Sequence, residues 1–340
     1  MQATYTHDTL GRLTQVTFDN GTQVIYNFDS VGNRTSIVRT GSLAAGTGDP
    51  SLCQVRVSLT QGDPWGLTDV TNGTTLYIEP IYDKLVGIWN GSQSYSMKAN
   101  AFGLSLSNLA VGLYRVYVFD GDDDGIIESA SLVAWTNNTT PPALDTLVAD
   151  GYYVNSQGTN RRAIADILIH ATGQCDWRNA RRGICHLDER VRRPARLQAS
   201  ISDNSWTVTR TTTTWRRVAN GATLGDHYVE FILSARNLVS AEGIVFVDRG
   251  AGGAGTYKYQ LGFGLDVTNA DSSTQPFGFD QGIDAGNLTG YALSKYKTYV
   301  AAGKHTLNII EQNITGRDVT AYGDNNDVVF KSGMLAEIML

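Results

Sequence analysis

Asp120-Gly121-Asp122-Asp123-Asp124-Gly125-Ile126-Ile127 puts aspartates at the first, third and fifth positions of a calcium-loop pattern, with glycine at the sixth and isoleucine at the eighth. Carboxylates on every second residue of a tight turn bring their oxygens together, as a hard divalent cation requires. The twelfth position, where a bidentate glutamate closes the shell, is Ser131, and Glu128 at the ninth would reach an ion only through water. The same run reads more simply as an acidic hairpin turn between two strands. Ca2+ held by Asp120, Asp122 and Asp124 is the one cofactor the sequence suggests.

Cys175, Cys185, His170 and His186 are zinc ligands by type, but the spacings H-x4-C and C-x9-C-H fit no closed tetrahedral site. They read as ordinary buried or loop residues. Seven arginines crowd residues 178–196: Arg178, Arg181, Arg182, Arg190, Arg192, Arg193 and Arg196. Guanidiniums suit phosphate, and they equally suit carboxylates across an interface. Asp188 and Glu189 lie inside the run, Asp176 lies just before it and the net charge is −6, so nucleic acid is not the expected partner. Pairing across a subunit or domain boundary is.

The five histidines are scattered, and neither G-x-S-x-G nor H-E-x-x-H occurs. Glycosidase chemistry needs two placed carboxylates. Glu230, Glu242 and Glu311 are formal candidates, but no spacing singles them out, and His305 reads as a capping or packing residue. The expectation is a protein that is not an enzyme. Aromatics are denser toward the C-terminus. Tyr257 and Tyr259 alternate with Leu261 and Phe263 and read as core, while Phe277, Phe279 and Tyr291 lie in a Gly/Asn/Gln-rich segment read as loop. On a loop, those three rings are the candidate glycan-stacking residues.

The elements that must carry these residues are strands. There are 26 Asp against 7 Glu, 20 Arg against 7 Lys, and 36 Gly. Glu and Lys populate exposed helix faces, whereas Asp and Gly populate turns. Hydrophobic residues make up 41%, enough for a sizeable core, and no apolar run is long enough to span a membrane. Three cysteines do not make a disulfide framework, and the first residues carry no secretory pattern, so folding in a reducing cytosol is expected.

Tyr5-x-x-Asp8-x-x-Gly11-Arg12 returns as Tyr26-x-x-Asp29-x-x-Gly32-Asn33-Arg34, at an offset of 21. Asp19-Asn20-Gly21 between the copies is a hairpin signal, so residues 1–40 read as a β-hairpin ribbon. Residues 41–51 have linker composition. Residues 52–137 carry short strands between turn signals and read as a small β-barrel or sandwich. Residues 138–200 read as an Arg-rich connector, with a short helix around Trp177, Ile184 and Leu187. Residues 201–340 read as a jelly-roll-like β-sandwich.

The copies YTHDTLGRL and YNFDSVGNR resemble the YD repeats of Rhs-type proteins and of some phage tail components. The resemblance implies an attachment role for Tyr5, Asp8, Gly11, Tyr26, Asp29 and Gly32. A second resemblance rests on motif order: DVTNGTTLYIEP, KLVGIWNGSQ, LYRVYVFDGDDDGIIESASLVAW, VNSQGTNRRAIADIL, ERVRRPARL, LGFGLD and AAGKHTLNIIEQN. This succession is similar to structural proteins of tailed phages and prophages, whose C-terminal halves resemble trimeric fibre and spike tips. Where that family carries W-N-x-Y-N-R-V, GICHLDERVRRPARL keeps the basic part without the aromatics. The resemblance implies a virion protein assembled in the host cytoplasm, a homotrimeric tail fibre or spike. It would attach to other virion proteins through residues 1–40 and touch a host-surface polysaccharide with its C-terminal domain. A head fibre, decoration or adaptor protein without a receptor role, and a glycan depolymerase, are the rival expectations.

Overall fold

The computed structural model describes residues 3–18, 23–29, 34–40, 53–82, 84–89, 94–122, 124–142, 145–147, 153–155, 161–188, 192–198, 205–209, 213–218, 228–249, 255–270, 275–283, 289–313, 318–322 and 332–340. Among these residues the regular elements are strands, with no α-helix. The expected all-β class is therefore the class adopted. The sheets are open and consistent with a β-sandwich, and none closes into a barrel.

Residues 3–40 form their own antiparallel sheet of four consecutive strands, Ala3–His7, Leu13–Phe18, Gln23–Phe28 and Arg34–Thr40. Two three-stranded sheets follow. One orders Phe102–Ser105, Thr75–Pro80 and Val55–Ser58; the other orders Ile126–Ile127, Ser94–Ala99 and Leu85–Trp89. The run 126–134 forms two strands. Ile126–Ile127 pairs in parallel with Ser94–Ala99, and Ser129–Ala134 pairs with Gly112–Phe119. The chain changes sheets at Glu128, as corner strands of sandwiches do.

The helix expected around Trp177, Ile184 and Leu187 is absent. That stretch folds as strands Gln174–Arg178, Arg181–Arg182 and Ile184–His186. Ile184, Cys185 and His186 are all buried, so this strand is covered on both faces and shows neither helical nor alternating periodicity. Just before it, strand Arg162–Ala171 pairs with Gly112–Phe119, with Val116 opposite Ala165. Strand Arg192–Gln198 pairs with Gly333–Met339. Residues 161–198 are thus hydrogen-bonded to strands on both sides of them in the sequence.

In the last third, Asn237–Arg249 pairs with Thr289–Val300, from Asn237 opposite Val300 to Asp248 opposite Thr289. A facing ladder joins Tyr228–Leu233, Gly303–Asn313 and Gly255–Leu265. Tyr259, Leu261 and Phe263 are fully buried, as their alternation predicts. The main apolar core runs from Cys53 and Val55 to Ile338 and Leu340, and a smaller one holds Val245, Val247, Tyr259, Leu261 and Ile309. Each fully buried aliphatic or aromatic side chain contributes roughly 1.5–3 kcal/mol.

Candidate functional site

The first YD copy builds a closed turn between Ala3–His7 and Leu13–Phe18. Asp8 Oδ1 accepts the N–H groups of Leu10 and Arg12, each at 2.9 Å, and Asp8 Oδ2 takes Arg12 Nε at 2.6 Å. Gly11, at φ +78°, donates to Asp8 O. Asp8 thus closes an Asx turn, and Gly11 supplies the left-handed backbone. The Arg12 backbone N–H, its side chain and the Leu10 N–H together hold the Asp8 carboxyl below its usual value. The Arg12 guanidinium also lies 4.7 Å over the Phe28 ring, tying the turn to the third strand. Tyr5 is exposed, and Tyr26 sits on the third strand opposite Ile37. Asp29 immediately follows that strand, and Gly32 lies outside the described residues.

Four of the seven arginines pair within the chain. Asp176 Oδ2 accepts Arg178 Nε and Arg181 Nη1, both at 3.0 Å, while its Oδ1 accepts Asn72 N at 2.7 Å and lies 3.3 Å from His170 Nε2. Arg181 Nε lies 2.6 Å from Glu230 Oε1, and Glu230 Oε2 lies 2.7 Å from Lys304 Nζ. Arg181–Arg182 runs parallel to Tyr228–Leu233, with Arg181 opposite Glu230, so this chain of charges bridges two parts of the sequence. Burial pushes the Asp176 carboxyl up, but Asn72 N–H, His170 and the two guanidiniums outweigh it and leave it below its usual value. Burial lowers His170 by more than Asp176 raises it.

Arg182 donates to Pro194 O and stacks on Trp177 at 4.9 Å, and Arg193 donates to Trp65 O. Arg192 and Arg196 lie on Arg192–Gln198 with side chains outside the described residues, as is all of Arg190. His186, a zinc ligand by type, accepts at Nδ1 from Arg56 at 3.0 Å, and burial first, then Arg56, holds it neutral, well below its usual value. Cys175 and Cys185 are buried free thiols.

In the acidic loop, the aspartates are engaged by the loop's own backbone. Asp120 Oδ2 accepts Gly125 N at 2.7 Å, Asp124 Oδ1 accepts Ile126 N at 2.8 Å, and Glu128 Oε1 accepts Gly121 N at 2.6 Å. Asp122 Oδ1 lies 3.3 Å from Asp124 N. One oxygen from each of Asp120, Asp122, Asp124 and Glu128 lies within 4.8 Å of the others. Four carboxylates supply part of the roughly six to eight oxygens that Ca2+ takes. Ser131, on Ser129–Ala134, lies near Arg161 Nη1.

The aromatic candidates are corrected in placement. Phe277 and Phe279 lie on strand Gln275–Ile283, opposite Leu261 and Tyr259, rather than on a loop. Their side chains lie outside the described residues. PFGFDQ reads as loop because Pro276, Gly278 and Asp280 are turn-forming types, yet the long neighbour Gly255–Leu265 supplies the pairing. Tyr291 lies on Thr289–Val300, is 38% exposed, and sits 5.2 Å from the Phe246 ring. Of the formal acid candidates, Glu311 is fully buried under Tyr259 Oη at 3.0 Å and Arg216 Nη2 at 3.0 Å. Glu230 is held by Arg181 and Lys304, and exposed Glu242 pairs with Lys295 at 3.0 Å. His305 packs as expected, with Nδ1 at 2.8 Å from Asp266 and its ring against Phe231.

These sites belong to an all-β chain of open sheets. No family model matches it, and no curated protein matches it. Among solved structures, the infectious bursal disease virus VP2 subviral particle matches with TM-score 0.22 at 11% identity, over 68% of this chain and 69% of that one. PNGF-II matches with TM-score 0.22 at 10% identity, over 100% of this chain and 84% of that one. Carbohydrate-binding modules of the β-sandwich superfamily match with TM-score 0.14 at 8% identity, over 79% and 96%. At these scores the likeness is too slight to define a shared fold. No helix among the described residues is long and apolar enough to cross a membrane.

Proposed function

We propose that this chain is a structural protein of a phage virion, a homotrimeric tail fibre or spike. Residues 1–40 mount it on other virion proteins, and residues 201–340 contact a host-surface glycan. The observation that carries the reading is the N-terminal ribbon. Its four strands pair only with one another among the described residues, and its first turn is closed by Asp8, Gly11 and Arg12, residues of the repeated motif. A self-contained sheet with an exposed edge strand is a ready docking element, because unpaired N–H and C=O groups accept a further strand. The rest of the chain supports a body rather than a catalyst, since the acidic candidates Glu230 and Glu311 are consumed in ion pairs.

The test has two arms. Native mass spectrometry of the full chain is expected to give three copies, and a monomer at micromolar concentration overturns the trimer. Particles assembled with a chain lacking residues 1–40 are expected to lose the protein, with the full chain restoring it at the tail by antibody labelling. Retention of the truncated chain removes the mounting role, and label on the capsid replaces the fibre with a head decoration.

A further inference from the structure

The outward face of the C-terminal sheet holds a groove of about 540 Å3, lined by side chains of Asn237–Arg249, Thr289–Val300 and Gly333–Met339. Strand register lays its floor out in rows. Lys297 and Glu337 flank Ser240, Lys295 and Leu335 flank Glu242, and Tyr299 lies just beyond the lining, opposite Leu238. Residues 291, 293, 295, 297 and 299 are exposed while 292, 294, 296 and 300 are buried, so one face of this strand looks outward along its whole length. Tyr299 is 60% exposed at one end, with the Arg236 guanidinium 5.0 Å from its ring, and Tyr291 is at the other. Eight residues of strand separate the two rings by roughly 26 Å. Leu293 and Leu335 are exposed between them.

We propose that this groove binds a neutral, hydroxyl-rich saccharide chain; this rests on the reading that the C-terminal region contacts glycan, and it moves the contact from loops to a sheet face. Three features select that occupant. The volume falls in the roughly 300–1,000 Å3 range of ligand clefts. The charged groups lining the groove are two lysines and two glutamates, which sum to zero, with Arg236 beyond its end against Tyr299. A polyanion or a polycation would meet as many like charges as opposite ones. A hydroxyl both donates and accepts, so it is satisfied by ammonium, carboxylate and Ser240 alike. Sugar rings also carry an apolar C–H face, which suits Tyr299 and the exposed leucines.

The experiment is affinity electrophoresis of the full chain in gels cast with dextran, mannan, galactan, hyaluronan or polygalacturonate. Retardation by at least one neutral polymer is expected. Tyr299→Ala, and Ser240→Trp filling the floor, are each expected to weaken it about tenfold or more. Tyr299→Phe keeps the stacking ring and is expected to stay near the parent, as is Leu67→Ala on an exposed loop residue outside the groove. Thermal melts of each variant separate lost binding from lost fold, and exposed Tyr299 and Leu335 carry the test if Ser240→Trp unfolds. Neutral-glycan binding that survives both Tyr299→Ala and Ser240→Trp, or both Tyr299→Ala and Leu335→Ala where Ser240→Trp unfolds, overturns the groove but leaves the glycan reading standing. Retardation by the acidic polymers alone overturns the neutral ligand. No retardation by any polymer overturns both. Self-association abolished by Tyr299→Ala, without glycan binding, assigns the face to a second copy instead.

Discussion

Asp166 sits under a layer of strands with Arg115 Nε and Nη2 on its two oxygens, each at 2.9 Å, and Trp135 Nε1 at 2.8 Å. Arg115 and Asp166 are almost wholly buried. Removing one partner leaves the other charged and dry. Asp166→Ala is expected to cost about 3–5 kcal/mol in a denaturant titration, and a loss under about 1 kcal/mol refutes the role. Neither residue was legible as a core charge. Arg115 sits in YRVYV, where a polar residue reads as solvent-facing, and its partner lies 51 residues away. Burial pushes the Cys53 and Cys175 thiols up to about 12. Both are expected to resist a thiol reagent at pH 8 until denaturant is added, and fast native labelling of either contradicts their burial. In the acidic loop, backbone N–H groups already hold the carboxylates. Millimolar calcium or a chelator is expected to leave the melting temperature unchanged, and a calcium-dependent rise of several degrees reveals an ion site.

Alternation made some elements legible. The alternation from Tyr257 to Phe263 reads as a strand and lies in one, Gly255–Leu265. Three others were missed or misread. Thr289–Val300 turns Lys and Tyr outward and Ala and Ser inward, so its hydrophobic pattern is muted. Gln275–Ile283 sets the turn-forming types Pro276, Gly278 and Asp280 around its phenylalanines. Ile184–His186 is buried on both faces and has no polar side to alternate with. Turns carried clearer signals, because the backbone geometry demands them. Gly173, at φ +68° between Arg162–Ala171 and Gln174–Arg178, would place an added Cβ 2.8 Å from Ser107 Cα. Gly173→Ala is expected to lower stability by roughly 1–3 kcal/mol, and an unchanged thermal midpoint shows that the hairpin relaxes freely.

Over the whole molecule, the decisive contacts were the least legible. The core joins Cys53 to Leu340, and the charge chain from Asp176 through Arg181 and Glu230 to Lys304 has members 128 residues apart in sequence (176 to 304). Sequence patterns report neighbours, not such pairings, which is why 138–200 reads as a connector. This network fixes a pH response. His186 and His170 are held below their usual value in the fold, so the unfolded chain binds more protons, and stability falls as pH drops below about 6.5. Asp176, held below its usual value, adds its own loss only as pH falls past about 4. The denaturant midpoint is expected to be flat from pH 7 to 8 and to decline in these two stages, with His186→Gln blunting the first. A midpoint that rises on acidification refutes the sign.

The N-terminal ribbon is also a ruler. One motif period is 21 residues, and each copy of the motif accompanies two strands of the sheet. Strands stack about 4.8 Å apart, so one further period would lengthen the ribbon by about 10 Å without altering either end. On the mounting role proposed above, reach is set by counting repeats, and duplicating or deleting one unit shifts the standoff in fixed steps.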